Sequence, residues 1–311
     1  MSETAEPDHV PGYVRFDCTS PDAAELTAAA DAARQAIEQG ECIVLPTDTV
    51  YGIGADAFSA AAVQRLLGAK HRGRDMPPPV LMGDASLLRA LATDVPDGAK
   101  ELIAKHWPGP LTLICRIQPS LRMDLGETEG TIALRVPDHP LAREVLRRTG
   151  PMAVSSANLS GRPAALTCDD AIEQLGDSVA VYLDAGALTE SGGSSSTIVD
   201  FTQRDGGEVL RHGALSLAVL RETLPDVIDL TETAPSGVRK PAGAHVLTEA
   251  PDSDKPDSDE PGSDEPDSDE SVLFDEGVPW HSDESTHDEP HRSPEADQPA
   301  PPGTEPRNTR S

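Results

Sequence analysis

Four short segments of this sequence concentrate side chains that could bind a phosphate or a carboxylate. Residues 46–56, directly after the apolar run 42–45, carry Thr47, Asp48, Thr49 and Tyr51 beside the glycines at 52 and 54. Ligands commonly bind at strand ends in open α/β sheets. The Gly52-Ile-Gly54 pattern is neither a Walker loop nor a complete dinucleotide fingerprint. A tight turn and a ligand-binding loop therefore both remain open for this segment.

The second segment, Lys70-His71-Arg72-Gly73-Arg74, places three permanent cations within five residues. Its glycine and the prolines at 77–79 disfavour a helix, so the charges do not form the solvated face of one. Arginine supplies two parallel donors and lysine a point charge, which suits a polyphosphate. We expect a stiff, basic, phosphate-binding loop.

The third and fourth segments belong to the ends of predicted strands. Arg135 is the one cation of the apolar strand 131–136, where it shares a face with Thr131. A charge there must be paired or must face a cavity, and we favour a ligand carboxylate or phosphate over a structural ion pair. Residues 154–161 (VSSANLSG) cluster small hydroxyls and an amide without the nucleophile elbow of a serine hydrolase. They offer neutral donors to a phosphate, a ribose or a base, and residues 191–197 add a second hydroxyl-rich loop.

Alternating strands and helices predict the frame that positions these segments. Ser20 would cap a first helix, 23–39, that ends at Gly40. The later predicted elements are strand 42–45, helix 59–67, strand 80–82, helices 87–92 and 97–106, strands 111–117 and 131–136, helix 140–148, strand 152–156, helix 169–175, strands 179–183, 197–201 and 208–211, and helix 216–223. This order indicates an α/β fold with an open twisted sheet and flanking helices. Short spacings between some strands allow antiparallel pairs, so we expect a mixed sheet.

Charge is unevenly distributed along the 311 residues, whose formal net charge is −29. Residues 250–311 hold 19 acidic and four basic side chains and eleven prolines, too little apolar surface to offset the entropy of ordering the backbone. Residues 60–150 instead carry 13 Lys and Arg against 10 Asp and Glu. We therefore expect an irregular leader (1–18, with a short strand at 13–16), a folded domain that carries the chemistry (19–225), a linker (226–249) and a disordered acidic tail (250–311).

Several classes of protein are disfavoured by composition. No run of about 18 apolar residues exists, so we expect no transmembrane helix. The acidic start lacks the apolar segment of a secretory signal. Four scattered cysteines without a CxxC pair suit a reducing cytosol and argue against a thiolate zinc site. These features predict a cytoplasmic protein without a dedicated metal site.

Seven blocks, in the family's order, resemble the YrdC/YciO family of threonylcarbamoyl-AMP synthases. The blocks are LPTDTVYGIGADA (45–57), the Lys70-x-Arg72 loop, WPGPLTL (107–113), TIALRVPDHP (131–140), SSANLSG (155–161), STIVD (196–200) and LRHGA (210–214). They span about residues 20–220, and seven in sequence are far more specific than any one. The resemblance implies a YrdC-like open sheet with a concave, positively charged face.

The resemblance also implies an activity. Members of the family condense L-threonine, bicarbonate and ATP into threonylcarbamoyl-AMP and pyrophosphate, and a separate transferase complex passes the threonylcarbamoyl group to tRNA beside the anticodon. The expected protein is thus a nucleotidyltransferase that uses Mg²⁺ with ATP. It would supply a threonylcarbamoyl transferase complex, and would contact tRNA only indirectly or weakly.

By matching position, the resemblance implies roles for ten residues. Lys70, Arg72, Ser156 and Asn158 would form the catalytic, nucleotide-handling set; Thr47, Arg135, Ser155 and Ser196 would hold the threonine and its carbamate; and Thr131 and Arg211 would face ATP with the first set. The loop Lys-His-Arg-Gly-Arg departs from the family's common Lys-Gly-Arg-Pro, so Arg74 could share the role of Arg72. Ser155 replaces a frequent threonine and keeps the hydroxyl. Long members carry a second folded domain where this chain has its acidic tail, so we expect no lid-like closure by such a domain.

Two other functions remain open. The same surface could belong to a non-catalytic module that binds double-stranded RNA or tRNA. The absence of aromatic stacking residues near the basic loop and the net charge of −29 weigh against that function. A carbamoyl-handling domain like that of hydrogenase-maturation carbamoyltransferases would come with upstream zinc-finger cysteines, which the sequence lacks.

Overall fold

A mixed sheet of twelve strands forms the centre of the fold in this computed structural model, which describes residues 11–188 and 193–231. The strands are β1 (Val14–Asp17), β2 (Ile43–Leu45), β3 (Gly52–Asp56), β4 (Val80–Leu81), β5 (Ala92–Thr93), β6 (Leu111–Ile117), β7 (Thr131–Arg135), β8 (Met152–Ser156), β9 (Val181–Asp184), β10 (Thr197–Asp200), β11 (Glu208–Arg211) and β12 (Ile228–Asp229). Their spatial order is β1-β9-β2-β3-β8-β4-β7-β6-β10-β11-β12, and β5 pairs with β6. Both parallel and antiparallel pairs occur, for example β6 with β10 and β6 with β7.

Helices pack on both faces of this sheet. They are α1 (Ala23–Glu38), α2 (Ala60–Ala69), α3 (Leu88–Leu91), α4 (Asp97–His106), α5 (Pro140–Thr149), α6 (Cys168–Leu175) and α7 (Leu217–Thr223), with 3-10 turns at Ala85–Leu87 and Gly176–Ser178. Strand alternation separates two apolar cores. Ile43 and Leu45 pack in the core with α1 and α5, whereas Val44 between them belongs to the core with α2, α4 and α7. The predicted open, mixed α/β sheet with flanking helices is confirmed.

Most predicted elements occur with ends shifted by one or two residues. Helix α4 and strands β6, β8 and β11 keep their predicted bounds. The predicted helix 87–92 is instead divided between the turn Ala85–Leu87, the single helical turn of α3 and the short strand β5. No helix in the described part of the chain is long and apolar enough to cross a membrane.

Residues 52–56 form strand β3, where the sequence predicted a loop. The strand pairs antiparallel with both β2 and β8. A Cβ added at Gly52 would lie 2.7 Å from Val154 Cγ1, and one added at Gly54 would overlap Met152 Cε. Side chains of β8 lie against the β3 backbone, so a side chain at either glycine would have to displace them. The glycines that suggested a turn instead permit close packing between neighbouring strands.

The N-terminal segment agrees with the prediction in part. The short strand predicted at 13–16 in the leader is present as β1, one residue further on, and pairs in parallel with β9 along its whole length. Helix α1 is capped by Asp22 rather than Ser20, because the Asp22 carboxylate accepts hydrogen bonds of 2.8 Å from the amides of Ala24 and Glu25. Glu25 completes the capping box with a 2.9 Å bond from the Asp22 amide.

At the other end of the domain, the sheet continues beyond the predicted boundary at 225. Residues 228–229 form β12, which pairs in parallel with β11 inside the predicted linker. The rest of that linker and the predicted disordered tail, 250–311, lie outside the described residues.

Candidate active site

A cavity of about 260 Å³ opens where loops and strand ends of the sheet meet. Nine of the ten predicted site residues line it: Thr47, Lys70, Arg72, Arg135, Ser155, Ser156, Asn158, Ser196 and Arg211. They come from the β2–β3 loop, the end of α2 and the loop after it, strand β7, strand β8 and the turn after it, the segment before β10 and the end of β11. A larger groove, about 520 Å³, lies between α1 and α5 and contains none of the ten.

Lys70 is buried at the end of α2 with only 2 % of its surface exposed. Its Nζ donates hydrogen bonds to the carbonyl oxygens of Ser156 and Asn158, both at 2.5 Å, and to Asn158 Oδ1 at 3.3 Å. Burial, and after it the charge of Arg72, lowers the pKa of Lys70 to about 7. Lys70 thus holds residues 156–158 in place and contributes a cation to the cavity lining.

Asn158 is held by the protein through both ends of its amide. Its Nδ2 donates to the carbonyl oxygens of Leu159, at 2.9 Å, and Arg162, at 2.6 Å, while Oδ1 accepts from Lys70. The amide therefore shapes the turn 158–162 that borders the cavity. In the free protein, the polar atoms of the Asn158 side chain thus hold this turn in place beside the cavity.

Arg72 and Arg74 differ in position. Arg72 donates from Nη1 to Ser155 Oγ at 3.1 Å, and its buried Nε has no hydrogen-bond partner in the described part of the chain. Burial lowers the pKa of Arg72, and the charge of Asp75 opposes that shift. Arg74 instead forms a surface ion pair with Asp124 and does not line the cavity. Of the two arginines, the structure places Arg72 against the cavity.

Arg135 forms an ion pair within the protein, where a ligand contact was expected in preference to a structural pair. Its Nη2 lies 2.5 Å from Asp48 Oδ1, Nη1 donates to Thr49 Oγ1 at 3.1 Å, and Nε donates to the carbonyl oxygen of Gly109 at 3.0 Å. The pair is needed because Arg135 is only 5 % exposed and an unpaired charge there would be costly. Arg135 still lines the cavity, so the pair orients it there.

Arg211 and Ser196 form the opposite wall. The Arg211 guanidinium donates to the Ser196 carbonyl oxygen from Nε at 3.1 Å and from Nη2 at 2.8 Å, and Nη2 also donates to Ser196 Oγ at 3.0 Å. Ser196 Oγ shares a 2.8 Å hydrogen bond with the buried hydroxyl of Thr112 in β6. Burial, and then the charges of Arg135 and Arg72, lowers the pKa of Arg211 to about 10.

Thr47 and Thr131, the two predicted threonines, are placed differently. Thr47 is buried in the β2–β3 loop, where its hydroxyl donates to the Val50 carbonyl oxygen at 2.6 Å and accepts from the Val50 amide at 3.2 Å. Thr131 does not line the cavity: its hydroxyl donates to the Thr128 carbonyl oxygen at 2.7 Å, at the far end of β7. The two-residue period put Thr131 on the face of Arg135, but four residues along a strand span roughly 13 Å.

The cavity has a strongly positive lining. Its described lining residues include five cationic side chains, Lys70, Arg72, Arg135, Arg162 and Arg211, and no carboxylate. Burial lowers the pKa values of both Arg72 and Arg211, and the charges of Arg135 and Arg72 lower that of Arg211 further. Among the described residues, no cluster of three His, Cys, Asp or Glu side chains could hold a metal ion. This chemistry suits an anionic ligand with several charges.

Three contributors to the site were not assigned from the sequence. Asp48 and Thr49 fix Arg135, and Thr112 fixes Ser196. Thr112 had a detectable signal, because it is the one hydroxyl in an otherwise apolar half of β6, as Arg135 is the one cation of β7. The pairing of Asp48 with Arg135 had none, since 87 residues separate them.

The sequence matches one family model over residues 35–213, that of the Sua5/YciO/YrdC family, which carries the description telomere recombination. A Mycobacterium tuberculosis protein, provisionally named a threonylcarbamoyl-AMP synthase, is 51 % identical over 209 residues, 67 % of this chain and 94 % of the relative. The threonylcarbamoyl-AMP synthase of Bacillus subtilis is 40 % identical over 154 residues; the match covers 48 % of this chain and 44 % of that longer relative.

A solved structure shares the fold. The crystal structure of Pyrococcus abyssi Sua5 complexed with L-threonine superposes with a TM-score of 0.67 at 27 % identity, covering 75 % of this chain and 67 % of that one.

Proposed function

This chain belongs to the Sua5/YciO/YrdC family, and from that premise we propose that it is a threonylcarbamoyl-AMP synthase. It condenses L-threonine, bicarbonate and ATP to threonylcarbamoyl-AMP and pyrophosphate. The observation that carries this proposal is a cavity whose described lining residues include five cationic side chains and no carboxylate. Such a cavity accepts a triphosphate and the carboxylate of threonine together. The buried hydroxyls of Thr47 and Ser196 line it and can form hydrogen bonds with the side-chain hydroxyl of the substrate threonine.

The reaction requires positioning and positive charge more than proton transfer. The threonine amine first forms a bond to the carbon of bicarbonate, and water is lost, which produces a carbamate. A carbamate oxygen then attacks the α-phosphorus of ATP, and the bond from that phosphorus to the β-phosphate bridging oxygen breaks to release pyrophosphate. Charge increases on the α-phosphate oxygens and on the leaving group, so preorganised cations lower the barrier.

The chain's cations divide this work. Arg72, whose Nε has no partner in the described residues, has donor capacity left for a phosphate oxygen. Lys70 supplies charge from beneath the loop 156–158, because its protons already bind carbonyl and amide oxygens there. Arg211 stabilises the phosphates from the opposite wall, and Arg135, oriented by Asp48, is placed to bind the threonine carboxylate.

Mg²⁺ is proposed to enter with ATP rather than to occupy a preformed cage. No triple of metal-binding side chains occurs in the described residues, so phosphate oxygens and water would supply most of its ligands. When bound, the ion would neutralise part of the triphosphate charge.

The product must be used quickly, because an acyl adenylate is reactive. We propose a threonylcarbamoyl transferase complex as the partner that collects it, and the cytoplasm, where ATP and tRNA meet, as the compartment. Contact with tRNA would be indirect or weak. The RNA-binding alternative is less well supported, since the relatives are named as synthases and the cavity walls are built from buried, mutually bonded side chains rather than an exposed stacking surface.

Pyrophosphate release tests the proposal. The purified protein should release pyrophosphate from ATP only when threonine and bicarbonate are both present, and each omission should return the rate to background. The nucleotide product should carry the threonylcarbamoyl group by mass spectrometry. A folded sample without threonine-dependent release would disprove the synthase assignment.

A further inference from the structure

A short turn after β9, residues 184–186, is bonded to two distant parts of the chain. The Asp184 carboxylate accepts from Arg15 of β1 through one oxygen, with Arg15 Nη2 at 2.5 Å and Nε at 3.1 Å, and from the Gly186 amide through the other at 2.8 Å. Gly186 adopts a φ of +81°, the left-handed region that favours glycine. The turn is thus shaped by a carboxylate that Arg15 holds in place.

The hydroxyl of Tyr51 closes the same turn from the other side. Tyr51 is fully buried, and its Oη donates to the Gly186 carbonyl oxygen at 2.7 Å and accepts from the Ala185 amide at 2.9 Å. Burial raises the pKa of Tyr51, so the hydroxyl remains a donor. The Ala185 amide and the Gly186 carbonyl oxygen are therefore hydrogen-bonded to Tyr51, and the Asp184 carboxylate is hydrogen-bonded to Arg15.

Tyr51 is also the last residue of the loop that carries Thr47. Its amide donates to the Ala165 carbonyl oxygen at 3.0 Å, and its carbonyl oxygen accepts from the Ala157 amide at 2.8 Å. Immediately before it, the Val50 backbone is bonded in both directions to the Thr47 hydroxyl. A displacement of the Tyr51 ring would therefore reach both Thr47 and the segment that follows β8.

We propose that Arg15, Asp184 and Tyr51 form a positioning relay that sets the Thr47 loop for threonine binding. Arg15 lies in β1, before the family match begins at residue 35, so the relay gives this chain's N-terminal strand a part in the activity. None of the three residues lines the cavity, and each acts through its neighbour. The inference rests on the proposed synthase function, because threonine is the ligand whose affinity it sets.

The test compares steady-state kinetics of Tyr51→Phe, Arg15→Met, the double variant and Asp169→Asn, all in the full chain. Tyr51→Phe removes one oxygen, and we expect the threonine KM to rise about tenfold while kcat changes less than twofold. Arg15→Met should raise the same KM several-fold. The double variant should match Tyr51→Phe, because Arg15 acts through Tyr51 and the effects are then not additive.

Asp169→Asn is the matched control. Asp169 accepts from Arg15 Nη1 at 2.6 Å, but its side chain is 77 % exposed, and Arg15 binds Asp184 through its other nitrogens, Nε and Nη2. Its loss should leave the threonine KM within twofold of the wild type. A role in stability alone would lower the melting temperature of the Tyr51 and Arg15 variants with no change in threonine KM.

Amide hydrogen exchange separates failure of the relay from failure of the proposed function. Peptides covering residues 47–52 should exchange faster in Tyr51→Phe and Arg15→Met than in the wild type or Asp169→Asn. With an active wild type, an unchanged threonine KM in both variants, or effects that multiply in the double variant, would overturn the relay. An inactive wild type would overturn the synthase function. The amide exchange rates of residues 47–52 would then test the relay by themselves, and unchanged rates in both variants would overturn it. If Tyr51→Phe does not fold, the partly exposed Arg15→Met is judged by the same criteria.

Discussion

The cations of the cavity differ in how much of their hydrogen-bonding capacity the protein already uses. Lys70 donates to three oxygen atoms of the 156–158 segment, whereas Arg72 makes one bond to Ser155 and leaves Nε unpartnered within the described residues. An ammonium has three protons and a guanidinium five. Arg72 therefore has donors to spare for a ligand, while Lys70 contributes charge and loop position.

Arg72→Ala should lower kcat for pyrophosphate release by about 100-fold or more, because removal of one preorganised donor at a developing negative charge costs roughly 10²–10³ in rate. Arg74→Ala is the matched control. It removes a surface ion pair with Asp124, of a kind typically worth about 1 kcal/mol or less, and should leave turnover near that of the wild type. The reverse order of effects would show that Arg74 has the role assigned to Arg72.

The lowered pKa of Lys70, about 7, predicts pH-dependent ATP affinity. Above that pH the free enzyme loses the charge, and ATP binding then requires uptake of one proton. The dissociation constant should rise as pH increases between about 7.5 and 9.5, by up to about tenfold per unit. Titration calorimetry with ATP should show this slope, and Lys70→Arg should flatten it since arginine stays charged. A flat wild-type profile would mean that the oxygens around Nζ keep Lys70 protonated.

The same shift has a defined sign for stability. The folded pKa of Lys70 lies below the ordinary value, so between about pH 7 and 10 the unfolded chain binds more protons than the folded one. The contribution of Lys70 to the free energy of unfolding should therefore rise with pH across that window and be lowest below it. This trend is opposite to the one for ATP affinity.

Strands β3 and β8 position the polar loops on either side of them. Gly52 pairs with Ser156 and Gly54 with Val154, so the Thr47 loop and the 155–158 segment leave adjacent strands at one edge of the cavity. The close approach of the two strands depends on the absence of side chains at the two glycines. The geometry of the site is thus sensitive to a single methyl group in β3.

Gly54→Ala should lower the free energy of unfolding by about 1–3 kcal/mol, because a new methyl group would overlap Met152 in a closely packed core. Urea denaturation measures the change. Gly68→Ala in α2 provides the control, since a Cβ there meets nothing within 4 Å and alanine favours a helix by about 1 kcal/mol relative to glycine. Equal stabilisation by both substitutions would argue against the packing explanation.

Over the whole chain, charge is divided between a basic cavity and an acidic C-terminal segment. The net charge of −29 would disfavour a polyanionic ligand, yet residues 250–311 alone account for −15 of it. The described lining of the cavity is cationic. Average charge is therefore a poor guide to the ligand of this protein.

Truncation after Glu249 should leave kcat and the KM values for ATP, threonine and bicarbonate within about twofold of those of the full chain, because the described residues that line the cavity all precede residue 212. Steady-state pyrophosphate release measures the effect at low and at physiological salt. A large loss of turnover would show that the acidic segment takes part in the reaction. A gain confined to low salt would show that the segment competes with ATP for the cations, since salt screens such contacts.

The sequence by itself determined the α/β architecture, the family and nine residues of the cavity lining, out of ten predicted for the site, because these depend on local periodicity and on contiguous blocks. Only the tertiary structure decided what those residues bind in the free protein. Arg135 pairs with Asp48, and Lys70 holds the 156–158 segment, although in both cases the partners are far apart in sequence. Thr131 shares a strand face with Arg135 but does not line the cavity, because it lies at the other end of β7. Likewise, β3 could not be recognised from the sequence, because its glycines make room for the side chains of Met152 and Val154, which lie about a hundred residues away. Short-range patterns record backbone preference, whereas packing and charge pairing depend on which distant segments the fold brings together.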